Sequence, residues 1–289
     1  MRVHDFIFNK YYPPNLLGEL CSEKIKAILQ SQEPAMVARF GSNEIKAILH
    51  PLFPQLLKII SKNRIYSRMP LAGFFPETDE AIEKFSRLMI DDMSMLDVLG
   101  SWRIEEYFLE KYFPSACRIE LRMLEPYLSE NPWTEILKGK KVLIVHPFNK
   151  TIEHQYYMNR KLLFQDKRIL PEFKSLRTIK AVQTVAGEKS EFVDWFEALD
   201  SMKKLISQED FDIGILGCGA YGFPLAAHIK RMGKKAVHLG GSTQILFGIK
   251  GRRWDSHPEI ATLYNQHWVR PAPEDVPKNS QMVEGGCYW

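Results

Sequence analysis

Between Asp212 and Gly241 the chain reads DIGILGCGAYGFPLAAHIKRMGKKAVHLGG, an apolar run, a glycine-rich turn, an amphipathic run and a second apolar run. Two short buried strands joined by a helix form a crossover unit, and strands connected this way pair in parallel. The same alternation begins earlier. KKVLIVHPF reads as a buried strand, TIEHQYYMNRKLLF as a helix, LRTIKAVQTV as a strand, EFVDWFEALDSMKKLI as a helix and FDIGILG as a strand, with FPLAAHIKRMG and KAVHLGG completing the series. Four strands with three intervening helices predict an α/β fold, a Rossmann-like open and mostly parallel sheet with helices on both faces.

The first half reads differently. An opening helix is expected over 13–31 behind Pro13-Pro14, then a short strand in AMVARF, the turn GSNE, and a helix EIKAILH that Pro51 stops. A further helix is expected from an N-cap at Thr78 to about Leu96, with helices continuing through IEEYFLEKYF. The expected organisation is one α/β domain with a helix-rich part over 1–138, a βαβ part over 139–248 whose join lies near NPWTEILKGKK, and over 249–289 a basic turn, a further helix and a docking tail. The aromatic ending Cys287, Tyr288, Trp289 is expected to dock onto the body and to cover a site.

At 289 residues and 45% hydrophobic composition the chain can bury a substantial core. Its net charge of +4 is mild and the basic residues are interspersed with acids, which favours a small anionic ligand over nucleic acid. The 4 cysteines lie far apart with no CxxC pair, against a zinc site or disulfide framework and consistent with reduced thiols in a cytoplasmic protein. No signal peptide and no run of about 20 apolar residues is evident. YYPP and HPLFPQLLKII are segments of a kind that lie at interfaces, which leaves peripheral association with the inner face of a membrane open.

Ligands of parallel sheets gather beyond the carboxyl ends of the strands. Four such ends are polar or glycine-rich: Gly41, Ser42, Asn43 and Glu44; His146 to Lys150; Gly217 to Gly222; and Gly240 to Thr243. Gly217, Gly219 and Gly222 satisfy G-x-G-x-x-G, with Cys218, Ala220 and Tyr221 between them. The next strand ends in His238, Leu239 and Gly240, with no acid for a ribose hydroxyl, which weighs against a nicotinamide or methyl-donor cofactor. The three glycines also suit close helix packing alone. Glu44 beside Arg39 suits a helix cap, a metal ligand or a general base. Lys150 at a helix start, and Arg252 and Arg253 in the KGRRW turn, suit phosphate contacts, with Trp254 able to stack on a base; each also reads as a solvated charge. No Ser/His/Asp or Cys/His constellation is present, which argues against a hydrolase.

RFGSNE resembles the Arg-Phe-Gly-Asp-x-Glu segment of the GT-D-type glycosyltransferases, a fold class first described from a domain of unknown function. GCGAYGFPLAAHIKRMGKKAVHLGG resembles the second signature of that family, and HPFNKTIEHQY, GIKGRRW and VEGGCYW resemble relatives encoded with bacterial surface-polysaccharide genes. The resemblance implies transfer of a sugar from a nucleotide-diphosphate donor to a glycan or lipid-linked glycan acceptor. Taken with the strand-end residues, this reading expects Glu44 and Arg39 to be catalytic and donor contacts from Gly41, Ser42, His146, Lys150, Gly217, Gly219, Ala220, Tyr221, Gly222, Gly240, Gly241, Arg252 and Arg253. Mn2+ or Mg2+ would sit at Glu44, but Ser42 replaces the first acid of the motif, and a hydroxyl is a poorer ligand than a carboxylate. The alternatives are an NAD(P)-dependent oxidoreductase and a nucleotide-binding module of the same fold without catalysis.

Overall fold

A computed structural model of the chain describes residues 3–53, 65–184, 190–283 and 285–289. Seven parallel strands form one sheet in the order β3-β2-β1-β7-β6-β4-β5. They are β1 (Ala35–Ala38), β2 (Val98–Ser101), β3 (Cys117–Glu120), β4 (Lys141–His146), β5 (Ser175–Lys180), β6 (Ile213–Leu216) and β7 (Lys235–His238). The helices are α1 (Val3–Tyr11), α2 (Glu19–Gln30), α3 (Ser42–Leu52), α4 (Asp79–Met93), α5 (Asn149–His154), α6 (Arg160–Leu163), α7 (Trp195–Gln208), α8 (Gly222–Arg231) and α9 (Thr243–Leu246), with a π-helical turn at Gln155–Asn159 joining α5 to α6.

Successive residues of a strand point to opposite faces, and here both faces are covered. Met36 and Ala38 of β1, with Leu143 and Val145 of β4, pack under α3, α4, α7 and α8. Ala35, Val37, Val142 and Ile144 pack on the other face with α2, α5, α9 and the aromatic residues Trp133, Trp254 and Trp268. A strand buried on both sides must be apolar throughout, which is why KVLIVH and DIGIL are legible as strands. The α/β class, the parallel sheet and the helices on both faces are as expected.

Five expectations for the outer parts of the chain are corrected. The helix expected to open the chain over 13–31 runs from Glu19 to Gln30, and α1 precedes it. Two strands beyond AMVARF occur in the first half, β2 and β3, and they extend the sheet from β1. Ile104–Tyr112 is a 3-10 helix. Pro51 lies inside α3, which runs on to Leu52, because a proline in the last turn forfeits few helical hydrogen bonds. KGRRW itself holds a 3-10 turn, Arg252–Trp254, and after it the expected further helix is replaced by the 3-10 turn Ile260–Leu263. Thr78 caps α4 as expected, its hydroxyl accepting from the Ala81 N–H at 3.2 Å. The tail docks: Cys287 is buried and Trp289 donates its indole N–H to the Asp275 carbonyl at 3.0 Å. Within YYPP, Tyr11 is exposed whereas Tyr12 is buried beneath the Arg118 guanidinium. Most of HPLFPQLLKII lies outside the described residues. No helix among the described residues is long and apolar enough to cross a membrane.

The position of β1 sets the geometry of the sheet edge. It pairs with β7, with Val37 opposite Val237, and so joins the two halves of the chain in one sheet. The chain leaves β1 into α3 on one face and leaves β7 into α9 on the other. Adjacent parallel strands whose connections depart to opposite faces leave a crevice at their carboxyl ends.

Candidate active site at the carboxyl edge of the sheet

Arg39 directly follows β1 and lies at this crevice. Its guanidinium lies across the backbone of Gly240, where a Cβ would be 3.3 Å from Nη1. Gly240 has φ +69°, a conformation that glycine adopts without steric penalty, so both the turn and the close approach favour glycine. The guanidinium also stacks on Trp102, 5.2 Å from the ring centroid, and Arg103 lies over the same ring at 5.2 Å. Trp102 is held in turn by its indole N–H, which donates to the Phe40 carbonyl at 3.0 Å. Arg39 Nε is buried with no hydrogen-bond partner among the described residues.

Three carboxyl groups feel the positive charge of Arg39. Glu44, in the first turn of α3, is drawn back so that its carboxyl fills the space a side chain at Gly41 would take. Burial raises its pKa, opposed by hydrogen bonds from the N–H groups of Glu44 and Asn43 and by the charge of Arg39. Glu106, fully buried, accepts from the Ser101 hydroxyl and from the N–H groups of Trp102 and Arg103, the latter two at 3.2 Å. Burial nevertheless pushes its pKa to about 7. Glu125, which follows the 3-10 turn after β3, accepts from Ser242 at 2.7 Å and Tyr127 at 3.1 Å, and burial raises its pKa too. Ser242 belongs to the turn after β7, so this hydrogen bond ties the segment that follows β3 to the turn after β7.

The glycine turn after β6 lies alongside. A Cβ at Gly217 would be 2.6 Å from both His146 Cδ2 and Thr243 Oγ1, and one at Gly219, φ +58°, would be 2.7 Å from the Ala72 carbonyl oxygen. At Gly222 a methyl group would overlap the His238 imidazole. The G-x-G-x-x-G run thus achieves close packing at each of its three glycines. Gly222→Ala is accordingly expected to destabilise the fold by about 2 kcal/mol through overpacking, a change read by chemical denaturation. An unchanged midpoint would mean that His238 moves aside freely. Burial depresses both His146 and His238 to a pKa of about 3, with the Arg39 charge adding to the effect at His238, so both imidazoles are neutral near pH 7. His146 Nδ1 accepts from the Phe148 N–H at 3.0 Å.

The remaining residues singled out from sequence divide clearly. Ser42 opens α3, and Gly241 approaches the tail, where a Cβ would be 2.5 Å from Tyr288 Cε1. Arg253 reaches the same tyrosine, 3.3 Å from Nη1 to the hydroxyl. A continuous series of contacts therefore runs from Arg253 through Tyr288, Gly241 and Gly240 to Arg39. Ala220 and Tyr221 turn inward, and Tyr221 stacks on Trp195 at 5.0 Å. Cys218 is buried and burial raises its thiol pKa, so it is not a reactive thiolate. Lys150 is exposed and pairs with Glu153 at 3.3 Å. Arg252 engages the tail residues Gln281 and Gly285.

Trp102, Arg103, Glu106, Glu125 and Tyr127 were not anticipated at this edge. The available signal was slight: VLGS offers only four residues of strand, adjoining a longer helical pattern, and Glu106 sits in an acidic stretch that reads as solvated.

The donor set does not fit a divalent cation. Ser42 stands where a second carboxylate is needed, Glu44 is committed to its own helix start, and among the described residues no group of three or more His, Cys, Asp or Glu is placed to hold a metal. The positive charge at the site is that of guanidinium groups.

No protein-family model matches the chain, and no curated protein matches it. Two solved structures are distantly similar in fold. One, a selenomethionine-substituted structure of the domain of unknown function 1792, is 13% identical, covers 78% of each chain and has a TM-score of 0.45. The other is described as the highly conserved domain of unknown function 1792 with a distinct glycosyltransferase fold; it is 14% identical over 78% of this chain and 77% of that one, with a TM-score of 0.43. At these scores neither likeness bears on what this chain does.

Proposed function

We propose that the crevice between β1 and β7 binds the diphosphate of a nucleotide sugar, and that the chain transfers the sugar to a hydroxyl of a bacterial surface-glycan acceptor. The supporting observation is the Arg39–Glu44 pair at the crevice: a guanidinium with a buried, unpartnered Nε beside a carboxyl group whose pKa burial has raised. A carboxylate whose proton affinity burial has raised is a stronger base than a solvated one. In the step this chemistry supports, the acceptor oxygen bonds to the anomeric carbon as the bond from that carbon to the diphosphate oxygen breaks. The acceptor proton passes to Glu44, and the charge developing on the departing diphosphate is offset by Arg39, with Arg253 on the far side of Tyr288. The choice of a sugar as the transferred group draws on the resemblance of the Arg39–Glu44 and Gly217–Gly241 segments to the GT-D-type enzymes.

A thermal-shift panel of nucleotide sugars, with and without manganese, tests this. Ligand at about 100 times its dissociation constant stabilises the native state by roughly 2.7 kcal/mol, a rise of roughly 5–10 °C in the midpoint for a chain of this size. The expected result is a rise with a nucleotide-diphosphate sugar, little dependence on manganese, and none with NAD or NADP. If no nucleotide moves the midpoint, the proposal fails.

The capping geometry of Glu44 favours one second reading, a module that binds nucleotide without turnover. Nucleotide binding in the absence of transfer or donor hydrolysis would establish it.

A further inference from the structure

Arg252 and Arg253, neighbours in sequence, serve different surroundings. Arg253 lies over the Tyr288 ring at 4.8 Å, beside Gly241 and the crevice. Arg252 donates instead to Gln281 Oε1 at 3.3 Å and to the Gly285 carbonyl at 3.1 Å. The tail divides in the same way: Tyr288 packs against Gly241, whereas Trp289 joins Arg252 in lining a separate cleft of about 420 Å³. Asp255, Arg270, Ser280 and Gln281 complete its polar lining.

We propose that this cleft is a second subsite that takes an acidic saccharide, on the acceptor side of the transfer reaction. The acceptor role rests on the nucleotide-sugar reading of the crevice; the saccharide specificity rests on the cleft itself. Its volume falls within the range of roughly 300–1,000 Å³ usual for small-ligand sites, enough for a short oligosaccharide segment. Planar polar side chains, Arg252, Arg270, Asp255 and Gln281, match the paired hydroxyls of a sugar ring, and an indole offers a flat apolar surface to the C–H face of a pyranose. The charge balance selects an acid. Arg270 is paired with Asp255 at 2.7 Å, whereas the partners of Arg252 among the described residues are an amide and a carbonyl, which hold the guanidinium in place without neutralising it. An oriented guanidinium retaining its full charge is suited to a carboxylate, which it can bind through two parallel hydrogen bonds. The two sites share a wall, since Tyr288 and Trp289 are consecutive and Trp289 reaches back through Phe148, at 6.3 Å, to His146, at 4.9 Å from Phe148.

Isothermal titration of the full chain with tetragalacturonate, maltotetraose and inorganic phosphate, each repeated with saturating UDP, tests the proposal. Tetragalacturonate is expected to bind at least about tenfold more tightly than maltotetraose or phosphate, to remain bound in the presence of UDP, and to be weakened about 10–100-fold by Arg252→Gln. Because Arg252 also bonds the tail, Arg270→Gln, which leaves those bonds intact, must weaken it as well. Equal affinity for maltotetraose or phosphate, displacement by UDP, or unchanged affinity in either variant would each overturn the proposal. Saccharide binding without nucleotide binding would support the saccharide site and overturn the crevice reading; nucleotide binding without saccharide binding would do the reverse.

Discussion

Replacing Glu44 by glutamine is expected to lower kcat by about 10²–10⁴-fold while leaving the affinity for the nucleotide within about twofold. The substitution separates the cap that Glu44 forms from the base that it is proposed to be. As a cap, Glu44 accepts hydrogen bonds from the first N–H groups of α3 and fills the space beside Gly41. Glutamine has nearly the same shape and its amide oxygen can accept the same hydrogen bonds, so the helix start and the crevice should survive. As a base, glutamine has no proton affinity to offer. A variant that keeps its stability and nucleotide affinity and loses turnover therefore places the proton on Glu44. A variant that transfers sugar at the original rate removes Glu44 from the chemistry and leaves it as a cap. Measuring kcat, nucleotide affinity and the unfolding midpoint on one preparation distinguishes these results from simple loss of fold.

Glu106→Gln should change how stability depends on pH. The wild-type carboxyl is fully buried, and burial raises its pKa from 4.5 to about 7, against the opposing effects of Ser101, the N–H groups of Trp102 and Arg103, and the charge of Arg39. Between these two values the native state holds a proton that the unfolded chain has released. Stability therefore falls as pH rises through that window, and the full penalty, about 3 kcal/mol, is present above pH 7. Glutamine can keep the acceptor for the two N–H groups and donate to the Ser101 hydroxyl, and it carries no charge to bury. The variant is expected to match the wild type near pH 4.5 and to exceed it by up to about 3 kcal/mol at pH 8, read by urea denaturation across the range. Some slope should persist, because burial also raises Glu44, Glu125 and, to about 6, Asp92. A variant less stable than the wild type at pH 8 would show that the ionised carboxylate is held favourably by Arg39 and its hydrogen bonds.

Both experiments act on one feature of the site, the Arg39 guanidinium whose charge reaches three carboxyl groups. Each carboxyl gains from Arg39, yet in all three burial outweighs that gain. The architecture of the sheet edge thus raises the proton affinity of all three above that of a solvated carboxylate, at Glu106 to a pKa of about 7.

Much of this architecture was visible in the sequence. The strands β4 to β7 and the helices between them were legible because each carries its own local pattern: a short apolar run in β4, β6 and β7, apolar residues interspersed with polar ones in β5, and apolar residues at helical spacing between them. Arg39, Glu44 and the glycine runs were singled out for standing at strand ends, a rule that needs only local pattern to apply. VLGS and CRIE were less legible: VLG follows so closely on α4 that it merges with the helical pattern, and CRIE carries two charged residues in four. The glycines of G-x-G-x-x-G showed the limit of a motif: the sequence could mark the tight turn, but only atoms at Ala72, His146 and His238 reveal why a side chain is excluded at each position.

The sequence by itself determined the class of fold and the residues standing at the strand ends, because hydrophobic period, caps and turns are encoded within a few residues. Tertiary structure alone decided that β1 lies against β7, so that Arg39 crosses Gly240, Glu106 and Glu125 fall within reach of its charge, and Arg252 parts from Arg253. The physical reason is that pairing between Val37 and Val237 is settled by burial of both sheet faces at once, a collective quantity that no short stretch of chain contains.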